Sequence, residues 1–126
     1  MLIDSNIIIY AAKLEYAELR RLIAEHSPAV SAVSYVEVLG YHKLSERERQ
    51  HFEEFFAVAS MLAISDDVLA QAVKLRQSRR MTLGDALIAG TALAHNLTPV
   101  TRNIKDFDWV DGLALLNPFI SGEAAT

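Results

Sequence analysis

The sequence predicts an α/β protein, a parallel sheet of four to five short strands covered by helices on both faces. Three observations predict it. Short apolar runs recur along the chain and alternate with longer segments of helical periodicity. The three prolines, Pro28, Pro99 and Pro118, fall at the edges of those runs and not inside the helical segments. Segment 85–96 is apolar on most of its sides, which only a buried helix tolerates.

The elements follow in order. Residues 1–3 read as the first strand, and Asp4-Ser5-Asn6 turns the chain into a helix starting near Ile7. Residues 14–25 form a helix with Leu19, Leu22 and Ile23 on one face. Residues 29–31 are a second strand. Ser34 and Glu37 then stand at capping-box spacing, with Ser34 as the expected N-cap. Ser45 and Glu48 repeat that spacing before a helix at 46–58, which gathers Phe52, Phe55 and Phe56. A third strand is expected at 61–64. The helix at 66–79 puts Leu69, Val73 and Arg76 in line with charged residues opposite. Thr82 and Asp85 cap the apolar helix at 85–96. A fourth strand is expected at 99–101, a turn carrying Asn103 and Asp106 follows, and residues 113–116 read as a weaker fifth strand. With no internal repeat, low-complexity run or linker, residues 1–126 read as one domain, with about 121–126 a flexible tail.

Composition narrows the function classes. At 126 residues the chain is long enough to bury a core without staples. Hydrophobic residues make up 52%, and cysteine is absent. That excludes a disulfide scaffold, a thiolate zinc site and a cysteine nucleophile, and it fits a reducing compartment. No apolar stretch is long enough for a membrane span. The N-terminus lacks the basic region of a signal peptide, so a cytoplasmic location is expected. The net charge of −4 argues against a nucleic-acid partner. Local basic clusters stand against it: Arg20-Arg21, Lys74 with Arg76, Arg79 and Arg80, and Arg102 with Lys105. The plainer account of each is a solvated helix face.

In a parallel sheet, ligands bind beyond the carboxyl ends of the strands. Four segments place acids there. Asp4 follows the first strand, although a cap for the next helix also explains it. Glu37 lies among Tyr35, Val36, Val38 and Leu39, where a carboxylate is costly unless compensated; capping explains it equally well. Asp85 is the only acid of its helix and sits at the positive end of the helix dipole. Asn103 and Asp106 are spaced to point the same way in a helical turn. Asp4, Glu37 and Asp85, with Thr101, can meet in one crevice. Carboxylates gathered there repel by on the order of 4 kcal/mol per pair at 4 Å, so a cation is expected to neutralise them. Oxygen donors favour Mg²⁺ or Mn²⁺ over zinc. His26, His42, His51 and His95 show no metal-ligand spacing; His95 reads as a helix C-terminal residue.

The pieces Leu2-Ile3-Asp4-Ser5-Asn6-Ile7, Ser34-Tyr35-Val36-Glu37-Val38, Gly84-Asp85-Ala86-Leu87-Ile88-Ala89 and Val100-Thr101-Arg102-Asn103-Ile104-Lys105-Asp106-Phe107, in this order, resemble the PIN-domain family. Within it they resemble the VapC-type toxins of bacterial toxin–antitoxin pairs. The resemblance runs over nearly the whole chain and implies a three-layer α/β/α fold with Mg²⁺- or Mn²⁺-dependent cleavage of RNA. It makes Asp4, Glu37 and Asp85 the core acids and metal holders. Asp106 is a fourth catalytic candidate, in a variant pattern, because Asn103 stands where many relatives carry an acid. Ser5, Asn6, Thr101 and Asn103 become supporting polar residues around metal or phosphate. From charge alone, Arg102 or the Arg76–Arg80 cluster is expected to contact the RNA backbone. A small antitoxin covering the acidic crevice, with an inserted arginine, and a homodimer are also implied. Two other classes remain open. A phosphohydrolase of the haloacid-dehalogenase type also begins from an aspartate after its first strand, but usually has an acid two residues later, where Asn6 stands. A catalytically silent binding module of the same fold is the other. No Walker loop, G-x-G-x-x-G or G-x-S-x-G is present.

Overall fold

The computed structural model describes residues 1–119. The expected tail at 121–126 lies outside the described residues. Four parallel strands, β1 (Leu2–Ile3), β2 (Ala29–Ser31), β3 (Ser60–Leu62) and β4 (Pro99–Val100), form one sheet in the order β3-β2-β1-β4. Leu2 pairs with Ala29 on one side and Pro99 on the other, and Ile3 with Val30 and Val100. Six helices accompany them: α1 (Ser5–Ala11), α2 (Ala17–His26), α3 (Ala32–Leu39), α4 (Glu46–Val58), α5 (Asp66–Ser78) and α6 (Leu83–His95).

Strand alternation makes the layers. Ile3, Val30 and Val100 point into one core, with Ile7, Ile8, Leu19, Val38, Phe52 and Phe56. Leu2 points into the other, with Leu75, Ile88, Ala89, Ala92, Phe107 and Val110. Successive strand residues thus feed opposite faces, and helices cover both. The chain runs from β1 out through β2 to β3, then returns to lay β4 on the far side of β1. The carboxyl ends of β1 and β4 therefore flank the point where strand order reverses, the ordinary place for a ligand crevice in such sheets. Asp4 follows β1 there, and Thr101 follows β4.

The structure differs from the sequence expectation at several elements. The weak fifth strand at 113–116 shrinks to a single parallel bridge between Val100 and Leu116. The second helix starts at Ala17, not at residue 14, and Leu14 is 90% exposed. The Arg20 guanidinium instead donates to the carbonyls of Ala11, Lys13 and Leu14 and fixes that stretch as a turn. Ser34 is not an N-cap. Ser31 takes that role, its hydroxyl accepting from the Val33 N–H, and Ser34 is buried inside α3. The face expected on α5 is also displaced. Val68, Ala72 and Leu75 are buried, whereas Leu69 is 46% and Val73 55% exposed. The cause lies in α6, whose Gly90 brings the two helices so close that a Cβ there would stand 2.9 Å from the Val68 carbonyl oxygen. The capping box at Ser45 and Glu48 is present in full.

Candidate active site

Asp4 occupies the N-cap position of α1, yet its side chain makes no capping hydrogen bond. Its Oδ2 accepts from the Thr101 hydroxyl at 2.9 Å, across the switch point from β1 to β4. Thr101 Oγ1 in turn accepts from the Asn103 N–H at 3.0 Å. Asp4 is only 4% exposed. Burial pushes its carboxyl up to about 6, against the lowering influence of Thr101 and of the Ser5 backbone; the charges of Asp85 and Glu37 push the same way as burial. A carboxylate withdrawn from capping, buried and facing two others is not placed for stability.

Glu37 projects from α3 beside it. The segment is apolar in composition, but Tyr35 and Val36 turn outward and Glu37 is itself exposed, so the expected apolar surroundings are absent. Its position is fixed by polar contacts. Ser5 Oγ lies 2.7 Å from Glu37 Oε1 and 2.8 Å from Ser34 Oγ. A carboxylate cannot donate, so the single Ser5 proton goes to Glu37 and Ser34 supplies its own proton to Ser5. On the opposite side Gly84 presses against Glu37: a Cβ at Gly84 would lie 2.4 Å from Oε2. The glycine before Asp85 is the gap into which the Glu37 carboxyl fits.

Asp85 stands in the first turn of α6. The Thr82 hydroxyl caps that turn by accepting from the Asp85 N–H at 3.1 Å. Burial raises the Asp85 carboxyl, the Thr82 hydroxyl lowers it, and the charges of Asp106 and then Glu37 raise it further. Asp106 ends the 3₁₀ turn Ile104–Asp106 and shares with Asp85 the wall of an open cavity of about 570 Å³. Asn103, three residues earlier, is exposed and does not line that cavity. Asn6 is exposed as well.

Asp4 thus feels the charges of Asp85 and Glu37, and Asp85 those of Asp106 and Glu37. Among the described residues, no group of three or more acids or histidines stands close enough together to hold a metal ion by itself. That arrangement suits Mg²⁺, which keeps most of its water and is typically held by one or two carboxylates plus substrate phosphates. The donor set is entirely oxygen, and the chain has no cysteine.

The basic residues divide. Arg76 and Arg80 line the same cavity as Asp85, joined by Arg79 and Lys105. Arg102 is elsewhere, its guanidinium over the rings of Phe119 (4.5 Å) and Tyr10 (5.3 Å). Sequence reasoning missed the roles of Ser34, Gly84 and Trp109. The serine looked like a cap, and the other two carried no periodic or charge signal.

Comparison with known proteins places this geometry. A model of the PIN domain matches residues 1–113. Ribonuclease VapC2 of Rickettsia felis is 27% identical over 128 residues, covering 92% of this chain and 96% of that protein. Among solved structures, a toxin–antitoxin complex from Klebsiella pneumoniae is similar at 29% identity and a TM-score of 0.75, over 93% of this chain and 96% of that one. The VapBC2 complex of Rickettsia felis, bound to a promoter DNA fragment, is similar at 26% identity and a TM-score of 0.76, over 92% and 96%. A DNA-bound VapBC from Salmonella typhimurium shares the fold at a TM-score of 0.82 and 20% identity, over 93% and 96%.

Proposed function

Because the chain belongs to the PIN-domain family, we propose that it is a divalent-metal-dependent endoribonuclease that hydrolyses RNA phosphodiester bonds as the toxin of a toxin–antitoxin pair. The observation that carries the reading is the Asp4 carboxylate, buried, held by Thr101 instead of capping its helix, and facing the charges of Glu37 and Asp85. Such a group is under-neutralised by its own protein, and a cation relieves it.

Asp4, Glu37 and Asp85 are the residues that would hold Mg²⁺, or Mn²⁺ in its place, directly or through water. When bound, the ion supplies positive charge to the scissile phosphate and makes water a better nucleophile at neutral pH. The chain's own groups do the rest. Thr101 fixes the rotamer of Asp4, Ser5 with Ser34 fixes Glu37, and the α6 dipole favours the ionised form of Asp85. Asp106, which lines the same cavity as Asp85, would accept the proton that an attacking water loses. Arg76 and Arg80 provide charge for the flanking RNA backbone. A phospho-aspartate route at Asp4 usually wants an acid two residues later, and there the chain carries Asn6, exposed and uncharged.

The same reading makes a small antitoxin the natural partner, covering the acidic crevice, and assigns the chain to the cytoplasm as a homodimer. Among the described residues no helix is long and apolar enough to cross a membrane. The deciding experiment is RNA cleavage with Mg²⁺, with Mn²⁺ and with chelator, on wild type and Asp4→Asn. Cleavage with either metal, lost in chelator and reduced at least a hundredfold in a folded Asp4→Asn, is expected. Cleavage in chelator, or full activity of the variant, contradicts the metal mechanism; a folded wild type inert under every condition indicates a silent binding module.

A further inference from the structure

The cavity beside Asp85 and Asp106 is also lined by residues of which the proposed function uses only Arg76 and Arg80. Arg76, Arg79 and Arg80, at the end of α5 and just beyond it, and Lys105 from the 3₁₀ turn all project into it. Among the described residues none of these four cations is engaged in an ion pair, although two carboxylates share the cavity. In a chain of net charge −4, this is a local excess of positive charge, four cations to two carboxylates. Its floor is Trp109, the single tryptophan of the sequence. The indole is half-buried against the second core, and its Nε1–H donates to the Asp106 carbonyl at 3.0 Å, which ties the ring to the turn bearing Asp106. The Arg79 guanidinium lies 5.3 Å over the ring.

We propose that this cavity is a nucleotide subsite, taking the unpaired RNA residue next to the scissile phosphate, with its base stacked on the Trp109–Arg79 platform and its phosphate held by Arg76, Arg80 and Lys105. The assignment rests on the nuclease reading above, which places the scissile phosphate at the neighbouring carboxylates. Single-stranded nucleic acid is held by this combination of aromatic platform and cationic groove, because every base has a π-face and every phosphate a charge. The volume of about 570 Å³ lies within the ~300–1,000 Å³ usual for small-ligand sites. A duplex cannot present a splayed base to an indole, so the subsite selects single-stranded substrate.

The test uses the full chain in chelator and a short single-stranded RNA hexanucleotide. Trp109 is its own reporter. Saturable quenching of its emission is expected, weakening as salt rises. By anisotropy of a labelled hexanucleotide, Trp109→Leu binds roughly tenfold more weakly and Trp109→Phe recovers most of the loss, the size expected of one base–aromatic stack. Arg76→Ala with Arg80→Ala flattens the salt dependence by up to roughly 0.7 in log–log slope, the contribution of one single-strand phosphate. In cleavage, the Trp109→Leu defect falls on KM rather than kcat. Melting curves confirm that each variant is folded. RNA binding without a change in Trp109 emission, or Trp109→Leu binding as tightly as wild type, overturns the subsite. Metal-dependent cleavage with unaltered KM in Trp109→Leu sinks the subsite and leaves the nuclease reading intact. Quenching without any cleavage leaves the cavity as a single-stranded RNA site and sinks the nuclease reading, and with it the assignment beside a scissile phosphate.

Discussion

At the residue scale the site depends on two contacts with no charge of their own. Gly84 leaves the space that the Glu37 carboxyl fills, and Ser5 fixes that carboxyl from the other side. Gly84→Ala brings a methyl against the far end of a flexible side chain, so the fold tolerates it while Glu37 is displaced. Activity is expected to fall ten- to a hundredfold, as about a 1 Å misplacement does, with the melting temperature nearly unchanged; metal-dependent RNA cleavage beside a thermal melt checks both. Asp4 gives a prediction about pH. Its folded-state value of about 6 lies above the ordinary 3.8, so the metal-free folded state keeps a proton that the unfolded chain releases. Stability must therefore fall as pH rises from about 4 to about 6, by up to about 3 kcal/mol, and stay lower above that window. Asp4→Asn removes this slope, and denaturant unfolding in chelator at pH 4, 6 and 8 is expected to show the wild type losing ground to the variant only as pH rises.

At the element scale the contact between α5 and α6 positions the basic wall relative to Asp85. Gly90 is mid-helix, where alanine is ordinarily better by about 1 kcal/mol. Here the methyl would meet the backbone of α5, which cannot yield as a side chain can. Gly90→Ala is therefore expected to destabilise by about 1–3 kcal/mol, with a lowered urea midpoint and an unchanged m-value. The same contact shows where sequence reading reaches its limit. A stripe at Leu69, Val73 and Arg76 and one at Val68, Ala72 and Leu75 are both helical in spacing. Only the partner helix decides which is buried, and the partner is set by a glycine fourteen or more residues away. Ser34 misled for a related reason, since cap spacing is local whereas its contact with Ser5 crosses from one helix to another. By contrast Ser45 and Glu48 were legible because the whole motif lies within four residues.

At the scale of the whole molecule, the alternation of short apolar strands with helices was enough to read a parallel α/β sheet, because each strand residue feeds one of two cores. Strand order was not written locally. Only the assembled sheet shows that β4 returns beside β1, so that Asp4 and Thr101, ninety-seven positions apart, share a hydrogen bond. Asp85 and Asp106 meet across a cavity for the same reason, while Asn103 stays outside it. Leu69 and Val73 on α5, and Tyr35 and Val36 on α3, are exposed apolar residues. The proposed metal-dependent catalysis comes down to one claim, that carboxylates gathered by the topology are completed by a divalent cation. Calorimetric titration of Mn²⁺ into the metal-free protein at pH 7.5 tests it most directly. Saturable binding that is lost or weakened at least tenfold in folded Asp4→Asn is the predicted result; a folded wild type that takes up no Mn²⁺, or an Asp4→Asn variant that binds it equally well, would contradict the account.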